Sequence, residues 1–180
     1  MAKIYIAREE VEIPENVSVH LKDNNVIVVK GPKGEIKRDF TYARKITIRL
    51  EDNKIIVEKY FPSKQEKALV GTIAGHIRNL IKGVTEGFRY KMKIVYSHFP
   101  ISVKVKGDYV YIENFIGEKY PRKAKIVGKV KINVTGDEII IEGIDIEEVS
   151  QTAANIEHAT RVIGRDPRVF LDGIYVYERE

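Results

Sequence analysis

The chain has 180 residues, is 43% hydrophobic and 32% charged, and carries a formal net charge of +5 with no cysteine. That length suits one large domain or two small ones, each with enough apolar material for a core. The missing cysteine excludes disulfides, thiolate catalysis and cysteine zinc sites, and the mild positive excess permits a polyanionic partner without requiring one.

The opening stretch, MAKIYIAREEVEIP, has acids where a secretion signal has its apolar core. No run approaches the ~20 apolar residues of a membrane span, so a soluble cytoplasmic protein is expected. Residues 17–22 and 26–30 alternate apolar and polar around Asp23-Asn24, which reads as a β-hairpin with one buried face. GPKGE (31–35) lacks the Gly-Lys-Ser/Thr ending of a phosphate loop and joins strand to strand, so it reads as a second hairpin turn. Residues 46–51 and 54–59 repeat the hairpin pattern. Ser63 with Glu66 then forms a capping box, and Leu69, Val70, Ile73, Ile77, Leu80 and Ile81 make a helical apolar stripe that Gly83 is expected to end.

Residues 88–96 alternate again, and hairpins are expected at 101–106 with 109–113 and at 129–134 with 138–142. A second helix is expected from Asp145, with Glu148 as its capping partner, through Val149, Ala153, Ile156 and Ile163 to a stop at Gly164. An Asp166-Pro167 turn and a strand-like aromatic end follow, through Phe170, Ile174, Tyr175, Val176 and Tyr177.

The two halves repeat. VSVHLKDNNVIV (17–28) lies over ISVKVKGDYVYI (101–112), and ITIRLEDNKIIVE (46–58) over VKINVTGDEIIIE (130–142), at an offset of 84. Two copies argue for a duplicated domain rather than a solenoid. The expected fold is α+β: a tandem duplication of a small domain, each copy an antiparallel sheet with one helix packed on one face. The domains are expected at 1–83 and 84–180.

Charge is segregated in the second half. Lys119, Arg122, Lys123, Lys125, Lys129 and Lys131 follow Glu118 without an acid, and then Asp137, Glu138, Glu142, Asp145, Glu147 and Glu148 follow without a base. The basic run fits a phosphate-binding edge and equally a solvated loop and strand face. The tail, with Arg161, Arg165, Arg168, Tyr175 and Tyr177, fits an RNA surface or a packed last strand, since guanidinium pairs with phosphate and rings stack on bases. Gln151, Thr152 and Asn155 add neutral hydrogen-bonding groups or plain helix surface.

Catalytic and metal signatures are not found. His20, His76, His98 and His158 stand far apart, none at metal-ligand spacing, and no nucleophile has an evident base. The acids of 137–148 read as caps and solvated groups. A rival reading makes that acidic edge, or an open strand edge, a docking surface for a basic protein; an enzyme on a duplicated fold is the third. No catalytic residue, metal or cofactor is expected.

QTAANI (151–156), GRDPRVFLDGIYV (164–176), IPENVSV (13–19), VKGPKGE (29–35) and EKALVGTIAGHIRNLIKGVTEGF (66–88) together resemble the family of large-subunit ribosomal protein six in its archaeal and eukaryotic form. The resemblance spans nearly the whole chain. It implies a non-catalytic constituent of the large ribosomal subunit that binds large-subunit rRNA near the translation-factor-binding region at the stalk base. It also implies that the C-terminal domain is the main rRNA-binding domain, with neighbouring ribosomal proteins as further partners and neither membrane nor small-molecule substrate. Carried onto this chain, Gln151, Asn155, Arg161, Arg165, Arg168 and Tyr175 become RNA-facing candidates beside Lys119, Arg122, Lys123, Lys125 and Tyr177. Asp166 and Asp172 interrupt the Lys- and Gly-rich tail of the bacterial form, so its phosphate contacts do not transfer one by one.

Overall fold

A computed structural model describes residues 5–22, 25–166 and 168–180. The turn expected at Asp23-Asn24 and the proline of Asp166-Pro167 lie outside them. The chain divides into two compact units, Met1–Gly87 and Phe88–Glu180. The break expected after residue 83 falls inside a helix instead.

In the first unit, β1 (Ile6–Glu12), β6 (Lys54–Tyr60) and β5 (Thr47–Glu51) form one antiparallel sheet in the order β1-β6-β5. A second runs β2-β3-β4, from Ser18–Lys22, Val26–Gly31 and Gly34–Asp39. The helix α1 (Lys64–Thr85) packs on strands of both. Ser63 caps it as expected: its hydroxyl accepts the Glu66 N–H, and the Glu66 carboxylate accepts the Ser63 N–H at 2.9 Å. Val70, Ile73, Ala74, Ile77, Leu80, Ile81 and Val84 are buried along one face.

Gly83 does not stop this helix, because it lies on the buried side within the last turn. The stop is Gly87, whose φ of +76° favours a residue without a Cβ. The N–H groups of Glu86 and Gly87 both donate to the Lys82 carbonyl. GPKGE is a hairpin turn, closed by the Gly31–Gly34 pair. It docks on the helix end, where Lys33 N–H donates to the Val84 carbonyl at 2.9 Å. A Cβ on Gly31 would sit 2.7 Å from Val84 Cγ2.

The second unit repeats this plan. β8 (Ser102–Lys106), β9 (Tyr109–Glu113) and β10 (Arg122–Lys125) form a three-stranded antiparallel sheet. β7 (Phe88–Val95), β11 (Lys131–Thr135), β12 (Glu138–Gly143) and β13 (Gly173–Arg179) form a four-stranded one, in the order β11-β12-β7-β13. The order β11-β12-β7 matches β5-β6-β1, so β1 is the counterpart of β7, and β13 is an addition beyond it. The helix α2 (Ile146–Ala159) packs against β7, β12 and β13 on one side and β10 on the other. Its Val149, Ala153 and Ile156 share a core with Met92, Ile94, Val110, Ile112, Phe115, Ala124, Ile139, Ile141 and Ile174. The α+β duplication is as expected, but the strands of each unit divide between two sheets.

The offset of 84 holds for the first strand of each copy and for the later hairpin, where the pair Lys131–Glu142 stands in the place of Thr47–Glu58, but it fails at the second strand. Val103 pairs Ile112 where Val19 pairs Val29, so the second strands correspond one residue differently. Three residues join β2 to β3 and two join β8 to β9. An ungapped overlay therefore puts Tyr111 on buried Ile27 and reverses the faces.

α2 also departs from expectation at both ends. Asp145 caps it through the Glu147 N–H at 2.9 Å, while the Glu148 carboxylate turns aside to accept the Lys129 N–H at 2.9 Å. The helix ends at Ala159 rather than near Gly164, and Ile163, expected on the buried stripe, is 80% exposed. Two contacts end it there. The Thr160 hydroxyl accepts the Ile174 N–H at 3.1 Å, drawing β13 in. The Arg122 guanidinium donates to the carbonyls of Ala159 and Arg161, each at 2.9 Å.

Candidate nucleic-acid interface

Alternation along β10 sets the chemistry of the basic run. Ala124 is buried, and Arg122 points the same way, its guanidinium 4.2 Å from the Phe115 ring centroid. Four of its N–H contacts are made within the unit: two to the Ala159 and Arg161 carbonyls, and two to the Glu118 carboxylate at 2.6 and 2.9 Å. That hydrogen-bonded pair holds the Glu118 carboxyl below its ordinary range. Arg122 thus fastens the 118–122 loop to the end of α2.

Lys123 and Lys125 point the other way and are exposed. Register places them in two cross-strand rows, Lys104–Tyr111–Lys123 and Lys106–Tyr109–Lys125. The ammonium groups of Lys123 and Lys106 lie 5.4 and 6.0 Å from the Tyr111 ring centroid. Glu113 is the acid of β9 on this face, and it is paired to Lys104 at 2.6 Å. Lys119 is exposed in the loop before β10.

On α2, Gln151 is exposed and its amide donates to Asn155 Oδ1 at 3.0 Å. Asn155 in turn donates to the Lys125 carbonyl at 2.8 Å, tying the helix to β10. Thr152 is fully buried, and its hydroxyl accepts the Val127 N–H at 3.0 Å. It belongs to the core rather than to a surface.

Between α2 and β13, Arg161, Arg165 and Arg168 are exposed. Arg165 stacks on Phe170 at 4.8 Å and lies close enough to Glu118 to favour its ionised form. Asp166 organises this segment, its carboxylate accepting the Arg168 N–H at 2.9 Å and its carbonyl the N–H groups of Val169 and Phe170. Asp172 is 1% exposed and accepts the Ser97 N–H at 2.8 Å, with His98 3.9 Å away. Asp166 therefore shapes the backbone of the tail itself, and Asp172 ties the tail to the Ser97 backbone.

Tyr175 and Tyr177 do not join the arginines on one surface. Tyr175 pairs with Lys93 on the side of the four-stranded sheet opposite the core residues Ile174 and Ile94. The ion pairs Lys93–Glu138, Arg89–Glu142 and Lys91–Glu178 share that outer side. Tyr177 sits at a register shift, and its phenol is pushed up by desolvation and by Glu138. The interface candidates thus separate into the β10 face, the arginines beyond α2 and the tyrosine edge.

The acids of 137–148 are largely engaged: Glu138 and Glu142 in ion pairs, Asp145 as a cap and Glu148 on the Lys129 backbone. This leaves little of the acidic docking edge. The residues missed by sequence reasoning are Lys104, Lys106, Tyr109 and Tyr111. Alternation opposed the two tyrosines to Val110 and Ile112, but only the pairing register sets them between lysines.

The family model described as ribosomal protein L6 matches this chain twice, over residues 13–87 and 99–173. The chain belongs to the ribosomal protein L6 family. The large ribosomal subunit protein uL6 of Aeropyrum pernix is 58% identical over 180 residues, covering 100% of this chain and 98% of that protein. The protein of that name from Desulfurococcus amylolyticus is 59% identical over 181 residues (99% and 98% covered), and the one from Methanobrevibacter smithii is 54% identical over 173 residues (96% of each). The resemblance drawn from QTAANI and GRDPRVFLDGIYV is confirmed, and the two matches reproduce the tandem duplication.

Proposed function

We propose that this chain binds large-subunit rRNA near the translation-factor-binding region at the stalk base, chiefly through its second unit. Family membership makes it a structural constituent of the large ribosomal subunit and not an enzyme. The observation that carries the RNA reading is a set of exposed cations, Lys119, Lys123, Lys125, Arg161 and Arg168, that form no ion pair among the described residues, joined by Arg165 stacked on Phe170. Cations left unpaired and clustered on β10 and beyond α2 suit phosphates. Gln151 offers a neutral contact beside them. Arg122 and Asn155 act as positioning residues, since their polar groups are bonded within the unit.

The stalk-base location rests on the family resemblance, and neighbouring ribosomal proteins are further proposed partners. The test is a titration of the full chain against purified large-subunit rRNA at several salt concentrations. Six neutralised phosphates predict a fall of roughly a thousandfold in affinity between 50 and 200 mM salt. A flat response contradicts the reading.

A further inference from the structure

The tandem copies supply an internal control for the outer face of the β8-β9-β10 sheet. In the second unit its rows are Lys104–Tyr111–Lys123 and Lys106–Tyr109–Lys125. In the first unit the corresponding rows are His20–Val28–Lys37 and Lys22–Val26–Asp39. The same sheet is therefore built without aromatic residues in the middle strand and with fewer cations at its edges. The sheet architecture itself makes no demand for tyrosines at these positions, and like charges gathered on one small face repel one another in the free protein. Lys104 is neutralised by Glu113, which leaves Lys106, Lys123 and Lys125 flanking the two rings.

The geometry points to this face as a stacking surface for unpaired RNA bases, with Tyr109 and Tyr111 receiving the bases and Lys106, Lys123 and Lys125 the flanking phosphates. It rests on the rRNA reading and gives it a contact mode. Tyr109 is 41% exposed and Tyr111 half-buried, and the two stand two residues apart on one strand, about 7 Å along it. Aromatic rings on a β-sheet surface bind single-stranded bases in this manner, because every base offers a π-face. Duplex RNA presents no such face except at loops, bulges and ends, so the partner is an unpaired segment. An acidic protein surface would suit the lysines but gives the rings no role.

The test compares Tyr109→Leu/Tyr111→Leu and Tyr109→Phe/Tyr111→Phe with the wild-type full chain, titrated against large-subunit rRNA at several salt concentrations. The leucine pair keeps bulk and loses the π-face. It is expected to bind roughly tenfold or more weakly with an unchanged salt slope. The phenylalanine pair is expected to bind like wild type. The Lys123→Ala/Lys125→Ala pair is expected to lower the slope by about 2. If the leucine pair binds as tightly as wild type while wild type keeps a steep salt response, the stacking surface is overturned and the rRNA reading survives. Equal loss in the leucine and phenylalanine pairs also overturns it, since the hydroxyl rather than the ring then matters. A wild-type chain without salt-dependent binding overturns the rRNA reading itself.

Discussion

Removing the Arg122 guanidinium would leave the Ala159 and Arg161 carbonyls and the Glu118 carboxylate without their donor. Arg122→Ala is expected to destabilise the second unit by about 2 kcal/mol in a denaturant titration. Lys at this position lacks the planar fork and is expected to recover little of it. If the role is internal, as the bonds indicate, the slope of rRNA affinity against salt stays unchanged in Arg122→Lys. The partner acid predicts a pH effect of defined sign. The folded carboxyl of Glu118 titrates below its ordinary 4.5, so its contribution is fully present above that value. It is lost as pH falls through the folded pKa, and Glu118→Gln should flatten the acid end of the stability curve. With 42% of that side chain exposed, the effect is under ~1 kcal/mol. Gly128 is a third residue-scale case. It has φ +66°, and a Cβ there would lie 1.9 Å from Glu148 Cδ. Gly128→Ala is expected to cost roughly 1–3 kcal/mol by strain and by displacing the carboxylate from the Lys129 N–H. Adding Glu148→Ala should relieve only the clash, which a double-mutant cycle of unfolding free energies measures. None of these contacts was legible in the sequence. Arg122 read as one cation in a basic run, because a list of charges does not say which alternate ones face inward.

At the scale of elements, local signals were read well where they are local. The Ser63–Glu66 box is complete within four residues, and the helix it starts was legible from those residues and the apolar spacing. Ser63→Ala is expected to cost about 1 kcal/mol. Thermal unfolding monitored on the first unit's hydrogen exchange should move while the second unit's does not. Ends decided by distant partners were not legible. α2 stops at Ala159 because β10 supplies Arg122 and β13 supplies the Ile174 N–H to Thr160. Neither lies near it in sequence. The one-residue difference between the β2–β3 and β8–β9 connections likewise escaped an ungapped comparison. That single residue decides whether Tyr111 is core or surface.

For the whole molecule, the duplication has produced two units of one architecture with different surfaces. The net positive charge of the chain lies mostly in its first half, and in the second unit Lys119, Lys123, Lys125, Arg161 and Arg168 are exposed and form no ion pair among the described residues. Fold class and family were legible because they depend on patterns spread over the entire chain. The proposed interface was only half legible, since it assembles β8, β9, β10 and the segment beyond α2 from separate parts of the sequence. The acids Glu138, Glu142, Asp145 and Glu148 stabilise the second unit through ion pairs and backbone contacts rather than offer a second docking edge. The most direct measurement is crosslinking of protein to nucleotides in assembled large subunits, with crosslinked residues mapped by mass spectrometry. The account predicts crosslinks concentrated at residues 104–125 and 161–168. Crosslinks confined to the first unit, or a second unit that reaches no nucleotide at those residues, would contradict it.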